Sequence, residues 1–288
     1  MLSLSNATAE GDQPSAIRLC ALSLGAGVQS TTLALMAAHG AVGPMPDCAI
    51  FADTGWEPRA VYEHLDWLMS PNVLPFPVFI VGAANMRDNL LAAGRGERWA
   101  SIPAFARSFD RRGNASIGMI RRQCTGDYKI EPIRRKVREL VELTRKRSPT
   151  FAVVEQWIGI SLDEVIRIKP SREAWQRNRW PLIEERMTRR DCLAWLRERG
   201  YPDPPKSACI GCPFHDNSRW RAMRDHDEEA WRDAIDVDRA IRTGIRGIRG
   251  EVYLHRSGVP LEEADLSTLA DHGQLDLWPN ECKGMCGV

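Results

Sequence analysis

The sequence predicts an α/β fold, a parallel sheet flanked by helices, with a C-terminal cysteine-bearing extension. Three observations predict it. Short apolar runs of strand length alternate with helical faces three times between residues 17 and 93. The first run ends in a Gly-rich turn that leads straight into a helical pattern. The 288-residue chain is 43% hydrophobic and 27% charged, enough apolar material for a sizeable core.

The elements follow in order. Residues 1–15 read as a tail, without the basic start and apolar stretch of a secretory signal. No run approaches the length of a membrane-spanning helix. The expectation is therefore a cytoplasmic chain with reduced thiols and no membrane partner. Ile17–Leu24 is a buried strand, and Gln29–His39 an alanine-rich helix. Cys48–Ala52 is a second strand, leading into Asp53-Thr54-Gly55. Arg59–Met69 carries Val61, Leu65, Leu68 and Met69 on one helical face. Val78–Val81 is a third strand and Asn85–Ala93 a helix. Residues 94–120 lack periodicity and read as a long loop or lid. Val153–Ile160 is a further core strand. Thr188 caps a helix, with Asp191 three positions on and Gly200 as its stop. A polar helix runs from Trp220 to about Arg242. The division expected is a tail over 1–15, an α/β unit over 16–215 and a helical extension over 216–288.

Net charge is +1, from 39 basic and 38 acidic residues, which excludes a polycationic nucleic-acid coat and an acidic tail. It leaves room for a local basic patch. Lys and Arg are dense from Arg107 to Arg147. They could hold the phosphates of a small nucleotide, track a nucleic-acid backbone, or form the solvated side of a helix whose apolar face is Ile133, Val137, Leu140 and Val141. Arg121, Arg122 and Lys129 are the better candidates for anion contact.

Ser23-Leu-Gly-Ala-Gly-Val-Gln-Ser-Thr31 joins strand to helix. Small residues let the backbone approach an anion, and the N–H groups opening the helix point at it. Ser23, Gly25, Ala26, Gly27, Gln29 and Ser30 are the nucleotide candidates, a ligand-free Gly-rich turn being the alternative. No Lys follows the glycines, and Ser30 takes the place of the third Gly of G-x-G-x-x-G, so neither a Walker loop nor a dinucleotide fingerprint fits. At the next strand end, Asp53, Thr54 and Gly55 could hold a ribose or adenine edge, or simply form a turn.

Eight cysteines are present, at 20, 48, 124, 192, 209, 212, 282 and 286. Cys209-Ile-Gly-Cys212 could be half a zinc site, a redox dithiol or half an iron–sulfur site. Cys20, Cys48 and Cys192 lie in apolar contexts and read as packing residues. Cys282 and Cys286, so near the end of the chain, read as a reactive pair, with Lys283 able to favour the thiolate.

The Gly25-Ala-Gly-Val-Gln-Ser30 run resembles the modified P-loop (PP-loop) of the adenine-nucleotide α-hydrolase-like superfamily. Gln29 stands where its ATP pyrophosphatases carry Asp and is more like the phosphoadenosine phosphosulfate (PAPS) reductases. Phe51-Ala-Asp-Thr-Gly55, Tyr128-Lys-Ile-Glu-Pro-Ile-Arg-Arg135, and Trp180-Pro-Leu-Ile183 resemble further segments of those reductases. The resemblance spans roughly residues 16–215. It implies a Rossmann-like (HUP-type) sheet and a [4Fe–4S] cluster on Cys124, Cys209 and Cys212, with Gln123 where a second adjacent Cys would be. Glu281-Cys282 resembles the start of the reductases' catalytic tail. The implied activity is thiol-dependent reductive sulfur chemistry on an adenylyl-sulfate-type nucleotide, with Cys282 as nucleophile, Cys286 as a second thiol, and thioredoxin or glutathione as reductant. The alternative within the superfamily is an ATP-dependent sulfurtransferase that adenylates and thiolates tRNA or DNA, with Mg²⁺ on the ATP. A non-enzymatic, cluster-bearing nucleotide sensor is the third reading.

Overall fold

The structure is a computed structural model that describes residues 17–99, 102–144, 148–268 and 270–273. Five strands, β1 (Leu19–Leu24), β2 (Cys48–Ala52), β3 (Val78–Val81), β6 (Val154–Ile158) and β7 (Gln176–Arg179), form one parallel sheet in the order β3-β2-β1-β6-β7. β2 and β6 are buried along their whole length, as befits strands covered on both faces. Side chains alternate between the faces. Leu22, Leu24 and Phe51 join a core with α1 (Val28–Ala38), α2 (Arg59–Leu68), α5 (Pro181–Glu184) and α6 (Arg189–Glu198). Ala21, Cys48 and Ile50 face Val137 of α4 (Glu131–Leu140) on the other side. The fold is thus an α/β, Rossmann-like parallel sheet flanked by helices.

A second core gathers Trp56, Tyr128, Trp220, Val237 and Val252 from distant parts of the chain. It joins α3 (Met86–Gly94), α7 (Asn217–His226) and α8 (Glu228–Ile241) to a small antiparallel sheet of β4 (Phe105–Phe109), β5 (Ala115–Met119) and β8 (Glu251–Tyr253), in the order β5-β4-β8. Close helix approach depends on glycine here: a Cβ on Gly94 would fall 2.5 Å from the carbonyl oxygen of Ala240. Within the span 216–288 read as a helical extension, residues from Trp220 to Leu266 supply much of this core.

Three local outcomes differ from, or refine, the sequence reading. Residues 94–120 are not a structureless loop: β4 (Phe105–Phe109) and β5 (Ala115–Met119) form a hairpin, and β4 also pairs with β8 (Glu251–Tyr253). β5 is exposed throughout and carries no buried alternation, so its pattern gives no strand signal. The polar helix from Trp220 is two helices, because Asp227 caps the second through Ala230 N (3.2 Å). Thr188 and Asp191 form the expected capping box, and Gly200 follows in a left-handed conformation at φ 73°. Among the described residues no helix is long and apolar enough to cross a membrane.

Candidate functional site

Strand order reverses between β1 and β6. Their C-terminal ends, Leu24-Gly25 and Ile158-Gly159, therefore open a crevice that no crossover covers, the position at which sheets of this kind accept ligands. A cavity of about 1190 Å³ lies there. Ser23, Gly25, Gly27, Gln29 and Ser30 line one wall, Gln156 and Gly159 another, and Lys129, Arg172, Arg189 and Lys206 bring positive charge.

The glycine loop is shaped by its own backbone. Ala26 is fully buried in the left-handed region at φ 52°, so it stands behind the loop and not on the cavity wall. The Ser30 hydroxyl accepts from Gly25 N (3.1 Å) and donates to Gly27 O (3.3 Å), bracing the loop. No side chain caps the N-terminus of α1, so its first N–H groups stay available to an anion. Gly159 lies against the loop so closely that a Cβ would sit 3.0 Å from Ser30 N and Cα. Gln29 accepts from Arg189 Nη1 (2.9 Å) and donates to Ser161 Oγ (3.4 Å), tying α1 to the start of α6. Gln156 donates to Ala21 O and to Ser23 Oγ (both 3.0 Å). Its Oε1 is buried with no hydrogen-bond partner among the described residues.

The thiols lie beside this cavity. Cys209-Ile210-Gly211-Cys212 is a tight turn closed by Cys212 N on Cys209 O (3.1 Å). Ile210 N donates to Trp56 O (2.8 Å), and His215 Nε2 donates to Cys209 O (3.0 Å). Trp56 covers Gly211, where a Cβ would fall 2.0 Å from the ring, and the indole is held by Asp233 (2.6 Å). Cys209 Sγ touches Thr54 Oγ1 (3.4 Å) and Glu57 Oε1 (3.6 Å). Burial first, then the Glu57 charge, push its thiol above the ordinary range. Lys129 Nζ lies 3.6 Å from Glu57 Oε1. Burial opposes its charge, but Glu57 and the sulfurs of Cys209, Cys212 and Cys124 outweigh that and raise it above the usual lysine range. Cys124 precedes a π-helical turn, Thr125–Ile130, that delivers Lys129 inward; such turns are frequent at functional sites.

Cys124, Cys209 and Cys212 thus lie near enough to act on the charge of a half-buried Lys129. In chemical type, soft sulfur donors beside a cation match what an iron–sulfur cluster takes. No three His, Cys, Asp or Glu among the described residues are arranged to hold a metal ion as they stand.

The other expected residues fall elsewhere. Asp53 accepts from Gly55 N (2.7 Å) and Tyr62 OH (2.8 Å), closing a turn rather than facing the cavity. Thr54 belongs to the thiol side. Gly55 supplies the positive φ of 70° that the turn needs. Arg122 donates to Thr125 Oγ1 (2.8 Å) and stacks over Phe214 (5.2 Å). Cys20, Cys48 and Cys192 are buried, and burial pushes their thiols up to about 12, 11 and 12, as inert packing residues. Cys282 and Cys286 lie outside the described residues. Sequence reading missed Glu57, Gln156, Gly159 and Arg189. Only Gly159, after a buried strand, carried a signal of close approach.

Comparison with protein-family models finds no match, and comparison with curated proteins finds none. Among solved structures the chain is similar to a phosphoadenylyl-sulfate (PAPS) reductase from Candida auris in a phosphate complex. The identity is 14%, the TM-score 0.42, and the match covers 65% of this chain and 76% of that one.

Proposed function

We propose that this chain is a PAPS reductase-like enzyme that carries out thiol-dependent reductive sulfur chemistry on an adenylyl-sulfate-type nucleotide. One observation carries the reading: Lys129 lines the same cavity as the glycine loop and pairs with Glu57, the carboxylate that touches Cys209. Anion recognition and sulfur chemistry thereby share a side chain. The N–H groups opening α1 would hold the nucleotide's phosphate, with Arg189 and Lys206 on the rim. Gln156 Oε1 would accept from a hydroxyl or amino group of the nucleoside.

Cys124, Cys209 and Cys212 would hold a [4Fe–4S] cluster. When bound, that group supplies a polarizable charge beside the sulfate. Lys129 would balance that charge and orient the sulfate. The nucleophile is Cys282: its thiolate forms a bond to the sulfate sulfur and the S–O bond to the adenylate breaks, leaving enzyme S-sulfocysteine. A thiol of thioredoxin or glutathione, or Cys286, then attacks the cysteine sulfur, forms a disulfide and releases sulfite. The second reading, ATP-dependent sulfur transfer to a nucleic acid, is favoured by the exposed Gln123 beside Cys124, which leaves the thiols one short of a full cluster cage.

Anaerobic purification with iron and sulfide analysis, followed by sulfite assay on adenylyl sulfates with thioredoxin, tests the reading. Sulfite release that Cys282→Ser abolishes while cluster absorbance persists supports it. Pyrophosphate or AMP release from ATP, stimulated by RNA or DNA and without sulfite production, sinks it. Lys129→Ala should weaken nucleotide binding by at least about tenfold, as removal of a charge-assisted hydrogen bond requires.

A further inference from the structure

The small antiparallel sheet presents a surface that the proposed chemistry does not use. Residues 105, 107 and 109 of β4 point to one side with 251 and 253 of β8. On that side guanidiniums and rings alternate: Arg242 lies over Tyr253 (4.7 Å), Arg107 over Tyr253 (5.1 Å) and Arg107 again over Phe109 (5.7 Å). Phe109 ends the ladder 59% exposed; Ile117, opposite Arg107, and Met119, opposite Phe105, are exposed further along β5. A second ring stands nearby. Trp99 rests on Gly247, where a Cβ would fall 2.2 Å from the indole, and Arg246 lies over it at 5.5 Å; the ring is still 60% exposed. The 246–250 loop leads into β8, and Gly250 packs on the Arg107 carbonyl, so the loop and the hairpin form one continuous edge.

Positive charge predominates on this edge, with Asp110 at the hairpin tip as a carboxylate in no ion pair among the described residues. Arg111 and Arg112 at the hairpin tip and Arg246 and Arg249 in the loop are exposed, and none is in an ion pair among the described residues. The nearby carboxylates are committed. Asp110 accepts from the backbone N–H groups of Arg112 and Asn114, Glu251 pairs with Arg107, and Glu97 pairs with Arg95.

We propose that this edge binds single-stranded nucleic acid. Exposed rings offer stacking platforms to unpaired bases, and unanswered guanidiniums answer the phosphates between them. A duplex hides its base faces and would leave Trp99 and Phe109 unused. The return strand β5 runs on through Arg121 and Arg122 to Cys124, five residues beyond Met119, so a strand held here approaches the thiol side.

The test is fluorescence anisotropy on the full chain with short labelled RNA and DNA single strands, their duplexes, and polyglutamate as a non-nucleic polyanion. The wild-type protein should bind a single strand more tightly than either competitor, and the RNA and DNA arms identify which strand it prefers. Arg111→Ala with Arg112→Ala, or Arg246→Ala with Arg249→Ala, should weaken binding. Either pair should also lower the slope of log affinity against log salt by roughly one for each phosphate no longer neutralised. Phe109→Ala or Trp99→Ala should weaken binding by about tenfold with the salt slope unchanged, and Trp99→Phe should restore most of it. Equal binding of duplex or polyglutamate, no binding at low salt, or indifference to the arginine and aromatic changes in folded variants would each overturn the proposal.

Discussion

The two walls of the site are built differently. The glycine loop is fitted against backbone: Gly159 abuts the main chain of Ser30, and the loop's own hydrogen bonds brace it. The thiol turn is fitted against a side chain: Gly211 lies under the ring of Trp56, which Asp233 fixes in turn. Backbone fit leaves no partner that can be trimmed to relieve crowding, whereas side-chain fit does. One wall is therefore rigid by construction and the other tunable by substitution.

The largest expected effect comes from Gly211→Ala. The added methyl would overlap three atoms of a buried ring, which should cost about 3 kcal/mol, the upper end for overpacking. Trp56→Phe on that background should recover more than about 1 kcal/mol relative to additivity, measured by denaturant unfolding in a double-mutant cycle. Gly159→Ala should cost about 2 kcal/mol and weaken nucleotide binding. No side-chain substitution should rescue it, because its neighbour is main chain; recovery in a Ser30→Gly background would break the distinction.

Both walls should be acid-sensitive: burial holds His215, bonded to Cys209 O at the thiol turn, down from 6.5 to about 3, and the glycine-loop wall has its own buried imidazole. His64, bonded to Thr31 Oγ1 (3.0 Å) behind that loop, is held down from 6.5 to about 4 by burial. The unfolded chain therefore takes up its proton first. Stability is full above about pH 6.5 and falls as pH drops toward 4, by about 2 kcal/mol on reaching about pH 5. Thermal melts of His64→Gln against pH should show a flatter slope over that window. The smallest effect is expected for Ala26→Gly. Relief of left-handed strain is offset by lost methyl burial and by greater freedom of the unfolded chain, so stability should stay within about 0.5 kcal/mol of wild type.

The same contrast explains what can be read from sequence. The parallel sheet, its helices and the Gly25–Ser30 loop are legible because strand, turn and helix are consecutive, and each run carries its own period. The Thr188 cap is legible for the same reason. The thiol wall is legible only as residue types: Cys124, Cys209 and Cys212 advertise themselves, but Glu57 and Trp56, which set their surroundings, look like any polar and aromatic residue in a helix approach. Thr54 follows β2 and so reads as a nucleotide contact, yet its hydroxyl turns to Cys209. Gln29 reads as a loop residue facing a ligand, yet it ties α1 to Arg189. The β4–β5 hairpin is hidden because exposed strands have no hydrophobic alternation to reveal them.

The pairing of β4 with β8 has a consequence for how the molecule comes into being. Phe105 meets Tyr253, and Arg107 meets Glu251, across about half the chain. Contacts of such long sequence separation form late, after loop closure has been overcome. During synthesis the parallel sheet can close once β7 has emerged, while β4 waits with an open hydrogen-bonding edge until nearly the whole polypeptide exists. A nascent chain stalled or clipped before Glu251 would carry that edge uncovered. Such a fragment invites capture by another sheet. The strand β8, made late, is therefore the one that seals the molecule against its own kind.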